Sequence, residues 1–188
     1  MKSVVLTIVV FVVVIKSYGQ TNGVYLSKDD FSASTISSLK TTGDLVKVDE
    51  NFNGSVTLSS NGQVRNYKFG TIYGYCNDGV KYRKYGSKTK LFSSYGYCKV
   101  MDESALIIYS KQSRHHRSNG YVWHYYSKSP TSEIKLLTLK NLKRDFSDNP
   151  GFIDVMSRSM KRKDYLRESN GRLLINEIYI SKNGESIN

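Results

Sequence analysis

The chain has 188 residues, 39 % of them hydrophobic and 12 % aromatic, enough apolar material for one domain with a core, which excludes disorder as a description of the whole. Lys and Arg total 28 against 16 Asp and Glu, a formal charge of +12, and two Pro with 14 Gly exclude collagen-like and Pro-rich classes. Two Cys and three His leave little material for a metal cage, and no motif calls for a cofactor.

Met1-Lys2-Ser3 precedes Val4 to Ile15, a 12-residue apolar stretch broken only by Thr7. A secretory h-region runs about 7–15 residues, whereas a bilayer span needs about 20. Ser17-Tyr18-Gly19 sets small residues three and one before a cut ahead of Gln20. Residues 1–19 therefore read as a signal peptide and 20–188 as one mature domain, with no later run apolar enough to span a membrane. Lys16 beside the cut is less usual and keeps an uncleaved N-terminal anchor as the alternative. No cysteine stands at the cut, which excludes a lipid-anchored lipoprotein. The expected location is periplasmic or secreted. Losing Lys2 and Lys16 leaves 26 basic against 16 acidic residues, +10, with +3 in residues 20–110 and +7 in residues 111–188.

Residues 20–127 read as β. Val24 to Leu26, Leu45 to Val48, Val56 to Leu58, Val64 to Phe69, Thr71 to Tyr75, Val80 to Tyr85, Lys90 to Phe92, Tyr97 to Val100, Ala105 to Tyr109 and Tyr121 to Tyr126 are short β-prone runs. Asn53-Gly54, Asn61-Gly62, Asn77-Asp78-Gly79 and Asn119-Gly120 stand between them, residue pairs that tolerate the positive φ of a hairpin turn. Residues 128–181 read as helical. Leu139, Leu142 and Phe146 share a face behind Thr138 as N-cap. Asn149 and Pro150 open a second helix carrying Phe152, Ile153, Met156 and Met160, which Tyr165 and Leu166 extend. Ser169-Asn170-Gly171 is a break, Leu173 to Ile180 favours helix over strand, and residues 182–188 are a frayed tail. The fold class is α+β: an antiparallel meander or partly closed barrel followed by a C-terminal helical segment.

Export places Cys76 and Cys98, the only cysteine pair, in an oxidising compartment. A disulfide between neighbouring strands is the expectation, stabilising by roughly 3 kcal/mol in the chain-entropy model; two buried free thiols are the alternative. Tyr73-Gly74-Tyr75-Cys76 recurs as Tyr95-Gly96-Tyr97-Cys98, an echo that a Tyr-rich β protein produces by coincidence. His115 and His116 are flanked by Arg114 and Arg117, which repel a metal ion, and His124 reads as a strand residue. No nucleophile elbow or phosphate-cradling Gly-rich loop is present.

The compositional excess is tyrosine, 15 in all, and the segment from Tyr67 to Tyr126 interleaves tyrosines with Lys and Arg. Such a β surface can stack sugars and neutralise acidic groups, which makes Tyr82, Arg83, Tyr85, Tyr121, Trp123 and Tyr125 the candidate ligand surface. Strand alternation alone also produces the pattern. Arg158 with Lys161-Arg162-Lys163 reads as the solvated end of a helix, where cations oppose the negative dipole.

Gly23-Val24-Tyr25-Leu26-Ser27-x-x-Asp30-Phe31 resembles the mature opening of exported bacterial proteins of unknown function. Ile72 to Gly79 with Tyr82 resembles their central strand and turn, and Leu137 to Leu142 with Phe146 and Asn149-Pro150 their helical end. The resemblance implies export and layout, with no activity to transfer. The expectation is a non-catalytic binding or scaffolding protein of the cell envelope, its partner an anionic glycan or another envelope component and not nucleic acid. The alternative is a small hydrolase acting on an envelope glycan through a carboxylate pair that sequence cannot bring together.

Overall fold

The computed structural model describes residues 22–39, 46–51, 53–86, 95–112 and 121–184. Its centre is a seven-stranded antiparallel sheet. Six strands follow one another as a meander: β5 (Gly74–Asn77), β6 (Val80–Tyr85), β7 (Gly96–Asp102), β8 (Ile107–Gln112), β9 (Val122–Ser127) and β10 (Lys135–Leu136). The seventh, β1 (Gly23–Tyr25), pairs with β5 at the opposite edge, so the sheet is open and the barrel alternative falls away. Strands β2 (Lys47–Glu50), β3 (Val56–Ser60) and β4 (Gln63–Tyr67) form a separate sheet, and β11 (Glu168–Ser169) pairs with β12 (Arg172–Leu173). The helices are α1 (Lys28–Ala33), α2 (Leu139–Asp145), α3 (Pro150–Arg162) and α4 (Leu174–Gly184). The fold class read from the sequence therefore stands as α+β with an antiparallel sheet and C-terminal helices.

Local chemistry explains most boundaries. Asn61-Gly62 joins β3 to β4 and Asp78-Gly79 joins β5 to β6, both residues of each pair at positive φ, as a tight two-residue hairpin requires. Asn170-Gly171 does the same between β11 and β12, so the expected break is a hairpin turn. Thr138 caps α2 by accepting from Asn141 N–H, and Asn149 caps α3 by accepting from Phe152 N–H with Pro150 in the first turn. Lys163 then takes the left-handed conformation, φ 61°, and ends α3 before Tyr165 and Leu166, which the sequence reading had placed inside it. Helix α4 reaches Gly184, three residues into the stretch expected to fray. The six-residue α1 was not anticipated. Ser27 and Asp30 form a reciprocal capping box, and its one buried side chain is Phe31.

The central sheet has two unlike faces. Alternation sends Val24, Tyr75, Tyr82, Tyr97, Ile108 and Tyr126 to one side, here called the front. Tyr25, Cys76, Arg83, Cys98, Tyr109 and Tyr125 go to the back. The small sheet packs on the front near β1 and β5, burying Val48, Val56 and Leu58 with Val24, Tyr75 and Tyr97. The helices pack on the front at the other end, where Leu142, Phe146, Phe152, Met156, Ile175 and Ile178 meet Leu106, Ile108 and Tyr126. Asn176 pins this layer: it is fully buried, its Oδ1 accepts from Leu106 N–H at 3.0 Å, and its Nδ2 donates to Leu106 C=O at 2.9 Å.

The expected disulfide does not form; both thiols are free and buried. Cys76 stands opposite Lys81 on β6, and Cys98 stands opposite Arg83 on the other side of the same strand. Strands β5 and β7 are thus two spacings apart, roughly 9.6 Å, beyond the roughly 7 Å that a bridge tolerates between Cα atoms. Burial pushes the Cys98 thiol up to about 12.

Candidate functional site

Two covers on one face leave the middle of that face open. Beside the end of β2 lies a cleft of about 420 Å³ on β6 to β9, lined by Glu50, Tyr82, Tyr97, Lys99, Ser110, Lys111, Gln112 and Val122. Register explains this grouping apart from Glu50, which comes from the small sheet, and Lys111, whose pairing with Trp123 gives it back-face parity. Tyr75 pairs with Tyr82, Tyr82 with Lys99, Lys99 with Ser110, and Ser110 with His124, so one rung of side chains crosses β5 to β9 on the front face. Tyr97 on β7, with Gln112 and Val122 paired across β8 and β9, lies one rung along.

The rung begins with an aromatic wall. Tyr75 and Tyr82 stack with centroids 4.5 Å apart and planes 9° from parallel, and Tyr97 meets Tyr75 edge-on at 5.2 Å. Tyr75 donates from its hydroxyl to Glu50 Oε2 at 3.1 Å, which ties the end of β2 to this wall. Burial, joined by the Glu50 charge, holds the hydroxyls of Tyr75, Tyr82 and Tyr97 above the ordinary phenol range, so all three remain protonated. The Tyr97 side chain is almost wholly buried and its hydroxyl has no hydrogen-bond partner among the described residues. At the far end of the rung, burial lowers the His124 imidazole below its usual range, so it is neutral at pH 7.

Charge enters at two points. Glu50 and Lys111 converge over the start of β7: a Cβ on Gly96 would lie 3.3 Å from Glu50 Oε1 and 3.5 Å from Lys111 Nζ. Gly96 sits at φ 131°, a conformation that side chains other than glycine rarely take. Lys111 also donates to Tyr95 C=O at 2.8 Å and lies 5.0 Å from the Tyr85 ring. Lys99 is exposed on the cleft floor and has no ion pair among the described residues.

The candidate surface read from the sequence divides between the two faces. Tyr82 is on the front and lines the cleft. Arg83, its neighbour, is buried on the back at 4 % exposure. Its Nη1 donates to Tyr109 Oη at 2.7 Å and Ser127 Oγ at 3.0 Å, its Nη2 donates to Ser132 C=O at 2.5 Å, and its guanidinium lies 5.2 Å from the Tyr73 ring. Tyr85 and Tyr125 pack against each other on the back, centroids 4.7 Å apart, with Tyr125 buried. Tyr121 and Trp123 are exposed, at 67 % and 51 %. Lys81 is paired with Glu103 at 2.7 Å. Arg114, His115, His116 and Arg117 lie outside the described residues, as do residues 1–19 and Lys90 to Phe92.

Sequence reading missed Lys99, Ser110 and Gln112, because they meet only through strand register. One signal pointed there: the echoed Tyr-Gly-Tyr-Cys places Tyr75 and Tyr97 at the same parity on the two strands that flank Tyr82. Among the described residues, no three His, Cys, Asp or Glu side chains gather as a metal site, and no helix is long and apolar enough to cross a membrane. No protein-family model, curated protein or solved structure matches the chain.

Proposed function

We propose that this chain is an exported, non-catalytic binding protein of the cell envelope and that its ligand occupies the front-face cleft. The carrying observation is the uncovered rung Tyr82, Lys99 and Ser110, polar and aromatic where the same face is apolar under both covers. Hydrolysis through two acids needs a second carboxylate in the cleft, whereas Glu50 is the one carboxylate among its lining residues and is engaged by Tyr75. The basic balance of the chain suits an anionic partner outside the cell.

A thermal-unfolding screen against envelope glycan fragments and anionic lipid vesicles, at two salt concentrations, tests the reading. A glycan that raises the midpoint supports it. A response to vesicles alone, unchanged by Lys99→Gln, would assign the protein to a membrane surface instead. For export, the intact mass of protein recovered outside the cytoplasm is expected to begin at Gln20.

A further inference from the structure

We infer that the cleft takes an acidic sugar ring, a hexuronate unit with its apolar face on Tyr82 and its carboxylate on Lys99; this rests on the cleft being the binding site. One face of the Tyr82 ring is closed by Tyr75, stacked at 4.5 Å and 9°. Strand register puts Lys99 on the other side of Tyr82, in the same rung, so the open side of the ring borders the cleft. A tyrosine backed by a second tyrosine is a rigid platform, and the negative face of the ring attracts the polarised C–H groups of a pyranose. Beyond it, Ser110 and Gln112 present a hydroxyl and an amide, each able both to donate and to accept, which is what ring hydroxyls require. A cleft of about 420 Å³ is of the size that encloses one or two such rings.

The charges narrow the class. Lys111 donates to Tyr95 C=O, and Glu50 accepts from Tyr75, so both are engaged within the protein. Lys99 is the cation of the floor with no ion pair among the described residues. One such ammonium matches one single negative charge. A phosphate ester carries about −1.5 to −2 near neutral pH and is commonly gripped by arginine forks. Among the described residues no arginine lines this cleft, and the Glu50 carboxylate would repel a second charge. A carboxylate on the sugar satisfies Lys99 without that repulsion.

Calorimetric titration of the purified protein with trigalacturonate, maltotriose and glucose 6-phosphate, at low and high salt, tests the assignment. Trigalacturonate is expected to bind, to weaken as salt rises, and to lose about tenfold in affinity in Lys99→Gln, bringing it level with maltotriose. Lys140→Gln, which removes an exposed charge on α2, is the matched control and is expected to leave the affinity unchanged. Equal binding of maltotriose and trigalacturonate in the unaltered protein, with no effect of Lys99→Gln, would overturn the acidic sugar while leaving the cleft in place. Tighter binding of glucose 6-phosphate would overturn the carboxylate. Binding of trigalacturonate that survives both Lys99→Gln and Tyr82→Leu, each still cooperatively folded, would overturn the inference together with the cleft.

Discussion

Arg83 and Tyr82 are adjacent in one strand and live in opposite environments. On the back face the guanidinium is enclosed by Tyr109, Ser127, Ser132 and the ring of Tyr73, and the segment that follows β9 closes over it. On the front face Tyr82 borders open space, beside Lys99, which has no ion pair among the described residues. The contrast teaches how to tell a structural cation from a functional one when both sit in the same Tyr- and Lys-rich run. The structural cation has its donors turned into the protein. The other, exposed in the cleft, is the one assigned to the proposed ligand.

The largest expected effect breaks the back face. Arg83→Met removes the charged donor shared by Tyr109, Ser127 and Ser132, while the bond between the Tyr109 and Ser127 hydroxyls remains, and should cost about 4 kcal/mol of unfolding free energy, measured by urea denaturation. If that variant loses less than about 1 kcal/mol, the back face is not the closed structural side described here. Asn176→Ala is the matching break on the front, where two buried hydrogen bonds to the Leu106 backbone disappear; about 2–3 kcal/mol is expected in the same measurement.

A smaller effect should depend on pH. Burial opposes ionisation of Asp102, but hydrogen bonds from the backbone N–H groups of Leu173 and Ser104 outweigh it and hold the carboxyl below the usual range. A depressed folded-state value stabilises above the unfolded value and is lost as pH falls through the folded one. Asp102→Asn should therefore be less stable than the unaltered protein by about 1 kcal/mol at neutral pH, and the gap should close toward about pH 2. Smallest of all is Tyr97→Phe. Deleting a buried hydroxyl that lacks a partner among the described residues should leave stability unchanged or raise it by up to about 1 kcal/mol; a loss of stability would mean that the hydroxyl is already satisfied.

The legible parts of this fold are those written in local chemistry. Asn61-Gly62, Asp78-Gly79, Thr138 and Asn149-Pro150 each act through neighbours within four residues, and each does in the structure what its type suggests. Helix α1 escaped because six residues with a single buried Phe31 carry no periodicity, although Ser27-x-x-Asp30 is a capping box in plain view. The disulfide was misjudged because similarity of local setting says nothing about whether a third strand lies between. The cleft was out of reach for the same reason. Glu50 arrives from a separate sheet, and Lys99, Ser110 and Gln112 become neighbours only once register is fixed. Tyr82 alone was selected beforehand, and it came in company with Arg83, which the same alternation turned inward.

The most direct test of the division between the faces is a backbone-amide NMR titration of the purified protein with trigalacturonate. The account predicts saturable shifts at Tyr82, Tyr97, Lys99, Ser110 and Gln112, with residues 128–134 over Arg83 unmoved. Shifts that gather instead around Tyr121, Trp123 and the segment over Arg83, with the front-face rung silent, would contradict it.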